Sequence, residues 1–118
     1  YEGAVYVVRN FFSQDECKAW VHFVSSTQKM DFVSHPQSRT IAHRECFRWQ
    51  RNDWDYSEKL WERMQSLLSQ KIAPHFHMPP GYQPTACNGN LRLYRYDQGM
   101  SFGKHIDGTN TTQKGNTE

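Results

Sequence analysis

Residues 90–107 read NLRLYRYDQGMSFGKHID and carry the most informative pattern in the chain. The segment predicts a strand, a turn containing glycine, and a second strand that includes His105 and Asp107. Successive side chains of a strand point to opposite faces, so His105 and Asp107 would point the same way. An imidazole and a carboxylate side by side are two of the three protein ligands of a 2-His-1-carboxylate site for non-haem Fe(II). The pair is therefore a candidate metal site, although a His-x-Asp sequence on an exposed loop more often binds no metal.

The predicted strand in front of the turn has two different faces. Arg92, Tyr94 and Tyr96 alternate with Leu91 and Leu93, so the two sets lie on opposite sides. The leucine side predicts contact with a core. The arginine and tyrosine side fits either the wall of a pocket or an ordinary solvated face. The alternation alone does not choose between these two interpretations.

Residues 91–108 resemble the start of the jelly-roll core of the 2-oxoglutarate- and Fe(II)-dependent dioxygenases, in particular the prolyl 4-hydroxylase-like branch. That family's pattern is an apolar strand ending in Tyr, a turn with Gly, an aromatic residue and then His-x-Asp. The matching residues, in order, are Tyr96, Gly99, Phe102, His105 and Asp107. Residues 5–24, VYVVRNFFSQDECKAWVHFV, resemble the family's opening strand and first helix.

The resemblance implies an α+β fold with a double-stranded β-helix (jelly-roll) core and N-terminal covering helices. It implies that His105 and Asp107 are iron ligands, and that no further catalytic residue is needed. It also implies that Tyr96, and with it Tyr94, lines the pocket of the co-substrate 2-oxoglutarate.

The implied activity is hydroxylation of an unactivated C–H bond, with succinate as the co-product and ascorbate as the reductant. A protein or peptide is the implied substrate, with proline as the family-level expectation. Arg92 and Phe102 are the candidates for the substrate entrance. Arg44, Arg48 and Arg51 come from a region that borders this entrance in the family. They would meet an acidic or peptide substrate there, or form a solvated charged surface.

The chain also departs from the family's pattern. The family needs a distal His as third ligand and a distal Arg or Lys for the far carboxylate of 2-oxoglutarate. Residues 108–118 contain neither His nor Arg, and Lys114 is too close to the metal pair to take that role. We therefore expect residues 1–118 to be the N-terminal part of one dioxygenase domain, truncated after the His-x-Asp strand. Such a piece would bind Fe(II) weakly and would not turn over 2-oxoglutarate. The alternative is a catalytically incomplete interaction module that retains the fold.

Composition narrows the remaining classes of function. The chain has 118 residues, with 4 Trp, 6 Tyr and 7 Phe, which predicts one domain or part of one with a core rich in rings. A net charge of +2 is too small to favour a nucleic-acid partner. No apolar run reaches the roughly 18 residues typical of a membrane span, so no membrane partner is expected. Three widely spaced cysteines argue against a disulfide framework. A cytoplasmic or nuclear location is predicted, with the endoplasmic reticulum lumen as the alternative.

Two helices are predicted to cover a sheet. Ser13 and Glu16 form a capping-box pattern in front of a helix over residues 14–27. A second apolar stripe predicts a helix over residues 55–71. The side chains expected to be buried against the sheet are Trp20, Val24, Trp61, Met64 and Leu68.

The other segments give weaker predictions. Residues 4–9 are rich in valine and predict a strand. Residues 29–53 have little periodicity and are predicted to be mostly loop, with a short strand over residues 46–50. Residues 81–89 predict a loop that leads into the strand before the metal pair.

Overall fold

The computed structural model describes residues 5–67 and 80–115. Their elements, in chain order, are α1 (Gln14–Ser25), a 3-10 turn (Thr27–Lys29), β1 (Asp31–His35), β2 (Arg44–Asn52), α2 (Trp54–Leu67) and β3 (Asn90–Arg95). The strands form an antiparallel sheet in the order β1-β2-β3. Helices and an antiparallel sheet together make this part of the chain α+β. No helix within these residues is long and apolar enough to cross a membrane.

The first helix begins where the capping pattern predicts. The Glu16 N–H donates to the Ser13 hydroxyl at 3.1 Å, and the Ser13 N–H donates to the Glu16 carboxylate at 2.9 Å. Two N–H groups that the helix itself cannot satisfy are thereby paired. The helix ends at Ser25, two residues before the predicted end, because the chain tightens into the 3-10 turn. The second helix is confirmed from Trp54 to Leu67, and residues 68–71 of that prediction lie outside the described residues.

The loop predicted over residues 29–53 is wrong, because most of that segment forms strands β1 and β2. Residues 46–50 were only the middle of a nine-residue strand, which lies at the centre of the sheet. Val33 pairs with Cys46, and Phe32 pairs with Phe47. Arginines alternate with cysteine on one face of β2, so the apolar period that identifies a half-buried strand is hidden. The strand is stabilised by pairing with β1 and β3 on its two sides, and the local sequence contains no sign of that pairing.

The strand predicted over residues 4–9 is also absent from the described part, residues 5–9. This segment is irregular and ends in a turn at Asn10, whose φ is 57°. Val5 and Val7 are exposed. A high β-propensity alone does not make a strand when no neighbouring strand is there to pair with it.

Aromatic rings join the helices to one face of the sheet. Trp20 of α1 meets Tyr56 of α2 edge to face, with ring centroids 5.7 Å apart. Phe23 of α1 meets Trp49 of β2 in the same way at 5.2 Å. Edge-to-face pairs at these distances stabilise packing beyond the area they bury. The rings form this contact while staying half-buried, and the buried apolar residues among those described are Met30, Val33 and Cys46, so the prediction of a core rich in rings is not confirmed there.

The less exposed side of α2 is the predicted one, with Met64 as the exception. Trp20, Val24 and Trp61 are half-buried, whereas Met64 is exposed, so its predicted burial is wrong. Leu68 lies outside the described residues. The most buried residue of α2 is Ser57, which is 1% exposed and donates its hydroxyl to the Cys87 carbonyl at 2.7 Å. Ser57 precedes Leu60 and Trp61 by three and four residues, so a buried polar residue with a specific partner lies on the same side of α2 as the apolar stripe.

Candidate functional site

The candidate site lies on the sheet face that points away from the helices. Trp49 pairs with Leu93 on the helix side, so Arg48 and its partner Tyr94 lie on the other side. The leucine and arginine–tyrosine faces of β3 are therefore separated as predicted. We call this second surface the open face. Its residues, strand by strand, are Asp31, Val33 and His35; Arg44, Cys46, Arg48, Gln50 and Asn52; and Asn90, Arg92 and Tyr94, with Tyr96 directly after β3.

A turn brings the candidate ligands to the end of this face. Gly99 has a φ of 85°, a left-handed conformation that glycine adopts without strain. The Met100 N–H donates to the Asp97 carbonyl at 3.0 Å and closes the turn. The chain then runs beside β2 again, where Phe102 forms a single bridge with Arg44. The glycine turn predicted from the sequence is confirmed.

The second strand predicted after the turn is wrong. The Gly103 N–H donates to the His43 carbonyl at 2.7 Å, and no backbone hydrogen bond continues this pairing through residues 104–115. Without a neighbouring strand to bond to, the chain past Gly103 is irregular.

His105 and Asp107 nevertheless come together. The Nε2 atom of His105 lies 3.0 Å from Oδ1 of Asp107. The Nδ1 atom of His105 lies 2.8 Å from the Gly103 carbonyl oxygen. A carbonyl oxygen only accepts, so Nδ1 carries the hydrogen in this contact. Nε2 is then the nitrogen left to face the carboxylate.

This arrangement fits two ligands of one metal ion. Two neighbouring ligand atoms that each lie about 2.1 Å from a metal at right angles are about 3.0 Å apart. The same 3.0 Å is the length of a direct N–H···O hydrogen bond from a protonated His105 to Asp107. A backbone carbonyl on the other ring nitrogen is the usual outer contact that orients a ligating histidine. The side chains are 35% exposed for His105 and 92% for Asp107, so solvent reaches both. In residues 5–67 and 80–115 no group of three potential ligands forms.

A stack of flat groups connects the pair to the open face. The Phe102 ring lies parallel to the His105 ring, with centroids 3.8 Å apart. The guanidinium carbon of Arg44 lies 3.8 Å from the Phe102 centroid and 5.6 Å from that of Tyr94. An imidazole and a guanidinium at such distances cannot share one side of a ring, so Phe102 lies between them. The sequence had suggested Arg44 only as one of three arginines near an entrance.

Tyr96 adjoins the same stack. Partial burial raises the pKa of the Tyr96 phenol, and the neighbouring Cys46 thiol acts in the same direction, whereas the charge of Arg44 opposes them. The net direction keeps the Tyr96 hydroxyl protonated at neutral pH, where it is a hydrogen-bond donor. Cys46 itself is fully buried.

Five of the six candidate residues therefore lie in one neighbourhood. They are Tyr94, Tyr96, Phe102, His105 and Asp107, with Arg44 as the contact that the sequence did not identify. Arg92 lies on the same face, two residues or about 7 Å of extended chain from Tyr94, but among the described residues no contact joins its side chain to the stack. It pairs with Gln50 and donates to Asn90 Oδ1 at 2.7 Å. Comparisons of the chain with protein-family models, with curated proteins and with solved structures found no match.

Proposed function

We propose that this chain carries two iron ligands of an Fe(II)- and 2-oxoglutarate-dependent dioxygenase. Its reaction would be the hydroxylation of an unactivated C–H bond, most plainly of a protein side chain such as proline. The double-stranded β-helix fold is part of the same proposal, and β1, β2 and β3 would be the strands that this chain contributes to it. The observation that carries the proposal is the 3.0 Å approach of His105 Nε2 to Asp107 Oδ1.

Each residue of the site would have a separate role at the metal. The iron, when bound, supplies the oxygen chemistry, and the protein supplies position and electrostatics. His105 presents Nε2 because the Gly103 carbonyl engages Nδ1. Asp107 adds a charged oxygen ligand of the kind that Fe(II) sites use. Phe102 covers one side of the imidazole and so excludes water there.

The tyrosines would orient the co-substrate. The Tyr96 hydroxyl is a neutral donor that can hydrogen-bond a carboxylate oxygen of 2-oxoglutarate, and Tyr94 lies on the same face. Neutral hydrogen bonds are roughly half as strong as charge-assisted ones. Two phenols therefore set an orientation but hold a dicarboxylate weakly.

The test of the proposal is site-specific metal binding. Mn(II) stands in for Fe(II) because it is paramagnetic and resists oxidation. We expect added Mn(II) to broaden the NMR signals of residues 102–107 first, and Asp107→Asn or His105→Ala to abolish that preference. His22→Ala is the matched control, because His22 is an exposed histidine of α1 far along the chain from the pair. Broadening spread evenly over all histidines, or unchanged in both ligand variants, rejects the proposal.

One observation favours a second candidate function, an interaction module without turnover. Among the described residues, no third His, Cys, Asp or Glu joins His105 and Asp107. A module of this kind has no need to bind Mn(II) at His105, so the same titration separates the two candidates. Succinate release, measured with Fe(II), ascorbate and 2-oxoglutarate, adds a second readout.

A further inference from the structure

Arg44 is charged, half-buried and in contact with rings, yet the described part of the chain offers its guanidinium no acceptor. Within residues 5–67 and 80–115 its guanidinium contacts the Phe102 and Tyr94 rings and forms no hydrogen bond or ion pair. Two other arginines are neutralised by carboxylates: Arg63 lies 3.0 Å from Glu16, and Arg95 lies 2.9 Å from Asp97. Arg44 therefore differs from these two arginines because no carboxylate among the described residues pairs with it.

The nearby carboxylates are directed elsewhere. Asp107 contacts His105, and Asp97 contacts Arg95. Glu45 follows Arg44 in β2, so its side chain points to the opposite face of the sheet. The protein surface around Arg44 thus supplies aromatic rings without a counter-charge.

The N–H groups of this guanidinium are available for binding. Its central carbon lies 3.8 Å from the Phe102 centroid, and none of its N–H groups donates to an acceptor among the described residues. Their fork matches the two oxygens of a carboxylate. Partial burial of a cation without a counter-charge is costly, and a bound anion would offset the cost.

We propose that Arg44, seated on Phe102, is the centre of a carboxylate-binding site on the open face. Its ligand is either one end of a small dicarboxylate, such as the co-substrate of the proposed function, or an acidic side chain of a bound peptide. The site goes beyond the metal pair, because it needs no metal to bind its ligand.

Arg48 distinguishes the two sources of the carboxylate. It lies on the same face of β2, four residues or about 13 Å of extended chain from Arg44. Its Nε is buried and has no hydrogen-bond partner among the described residues. A small dicarboxylate does not span the distance between the two backbone positions, whereas an extended peptide with two acidic residues four positions apart matches it.

The experiment uses metal-free protein and two probes, observed through the backbone amide signals of β2 and residues 101–103 in NMR titrations, which every variant retains. One probe is glutarate. The other is a blocked peptide with two Glu residues four positions apart, compared with its Gln counterpart. We expect Arg44→Met to weaken binding about tenfold or more, as for the loss of a charged hydrogen-bonded pair. Arg51→Met is the matched control and should leave affinity unchanged, since Arg51 lies on the same strand but faces the other side.

Two further variants guard the interpretation. Arg44→Lys keeps the charge without the planar fork, so partial loss is expected; amide spectra of β2 verify that each variant is folded. Glutarate binding that ignores Arg48→Met identifies the small ligand, whereas Glu-peptide binding weakened by Arg48→Met identifies the peptide. The site is rejected if Arg44→Met binds as well as the parent chain, if the Gln peptide binds as tightly as the Glu peptide, or if the parent binds neither probe. None of these outcomes depends on Mn(II), so the carboxylate site and the proposed function fail separately.

Discussion

Arg63 of α2 forms a two-point ion pair with Glu16 in the first turn of α1. Its Nη1 lies 3.1 Å from Oε1 of Glu16, and its Nη2 lies 3.0 Å from Oε2. The same carboxylate accepts the Ser13 N–H and closes the capping box. One side chain therefore stabilises both the start of a helix and the contact between two helices. Both partners are more than a third exposed, so water and salt screen the pair.

This pair predicts a specific loss of stability in acid. The hydrogen bond from Arg63, followed by that from the Ser13 backbone, holds the pKa of Glu16 below its usual value of 4.5. The unfolded chain lacks these contacts and takes up the proton more readily. The contribution is therefore present above the unfolded pKa and is lost as pH falls through the lower folded pKa. We expect the thermal unfolding midpoint to fall less steeply below about pH 4.5 in Glu16→Gln than in the parent chain. Glu62→Gln, an exposed change on α2, is the control; equal slopes for all three proteins would contradict the prediction.

Ser57 is predicted to contribute to stability through one buried hydrogen bond. Its hydroxyl donates to the Cys87 carbonyl at 2.7 Å and links α2 to the segment before β3. Ser57→Ala leaves that carbonyl without its donor, so the free energy of unfolding should fall by about 1–3 kcal/mol. Ser66→Ala, in an exposed part of the same helix, should change the free energy of unfolding by less than about 0.5 kcal/mol. Urea denaturation measures the free energy of unfolding of each variant, and equal losses in the two would contradict the prediction for Ser57.

Gly89 is predicted to be required for stability because its position leaves no room for a side chain. A Cβ added at Gly89 would overlap the indole ring of Trp54, at the start of α2. Its carbonyl also accepts the Asp53 N–H at 2.8 Å, so the backbone has little room to move away. Gly89→Ala should therefore destabilise the fold by about 1–3 kcal/mol, as overpacking typically does. Gly108→Ala is the control, since a Cβ there meets nothing within 4 Å. Thermal unfolding that shows no difference between the two variants would disprove the clash.

The three free cysteines should react in a set order. Cys17 is exposed, Cys87 is half-buried and Cys46 is buried. Burial also raises the pKa of the Cys87 thiol, so less reactive thiolate is present at a given pH. Mass spectrometry after brief iodoacetamide treatment near pH 8 should find label on Cys17 first, then Cys87, and on Cys46 only after unfolding. Early labelling of Cys46 would show that the sheet opens.

Local patterns predicted the features that depend on near neighbours. The capping box of Ser13 and Glu16 needs only residues three apart, and the structure forms it as predicted. The alternation around Leu93 and Tyr94 depends only on the geometry of one strand, so it too was predictable. The approach of His105 to Asp107 spans two residues, and it persists although the strand expected around it does not form.

Contacts between distant segments produced everything else. Strand β2 exists because β1 and β3 pair with its two edges. Residues 44–52 do not show the alternation of apolar and polar side chains that would have predicted a strand. Arg44 reaches Phe102 and Tyr94 only after the turn at Gly99 returns the chain to β2. Residue types and their spacing thus determined the candidate ligands and the first helix, because those depend on bonds within a few residues. The tertiary structure determined the sheet and the surroundings of the ligands, because pairing energy there comes from residues that the sequence places far apart.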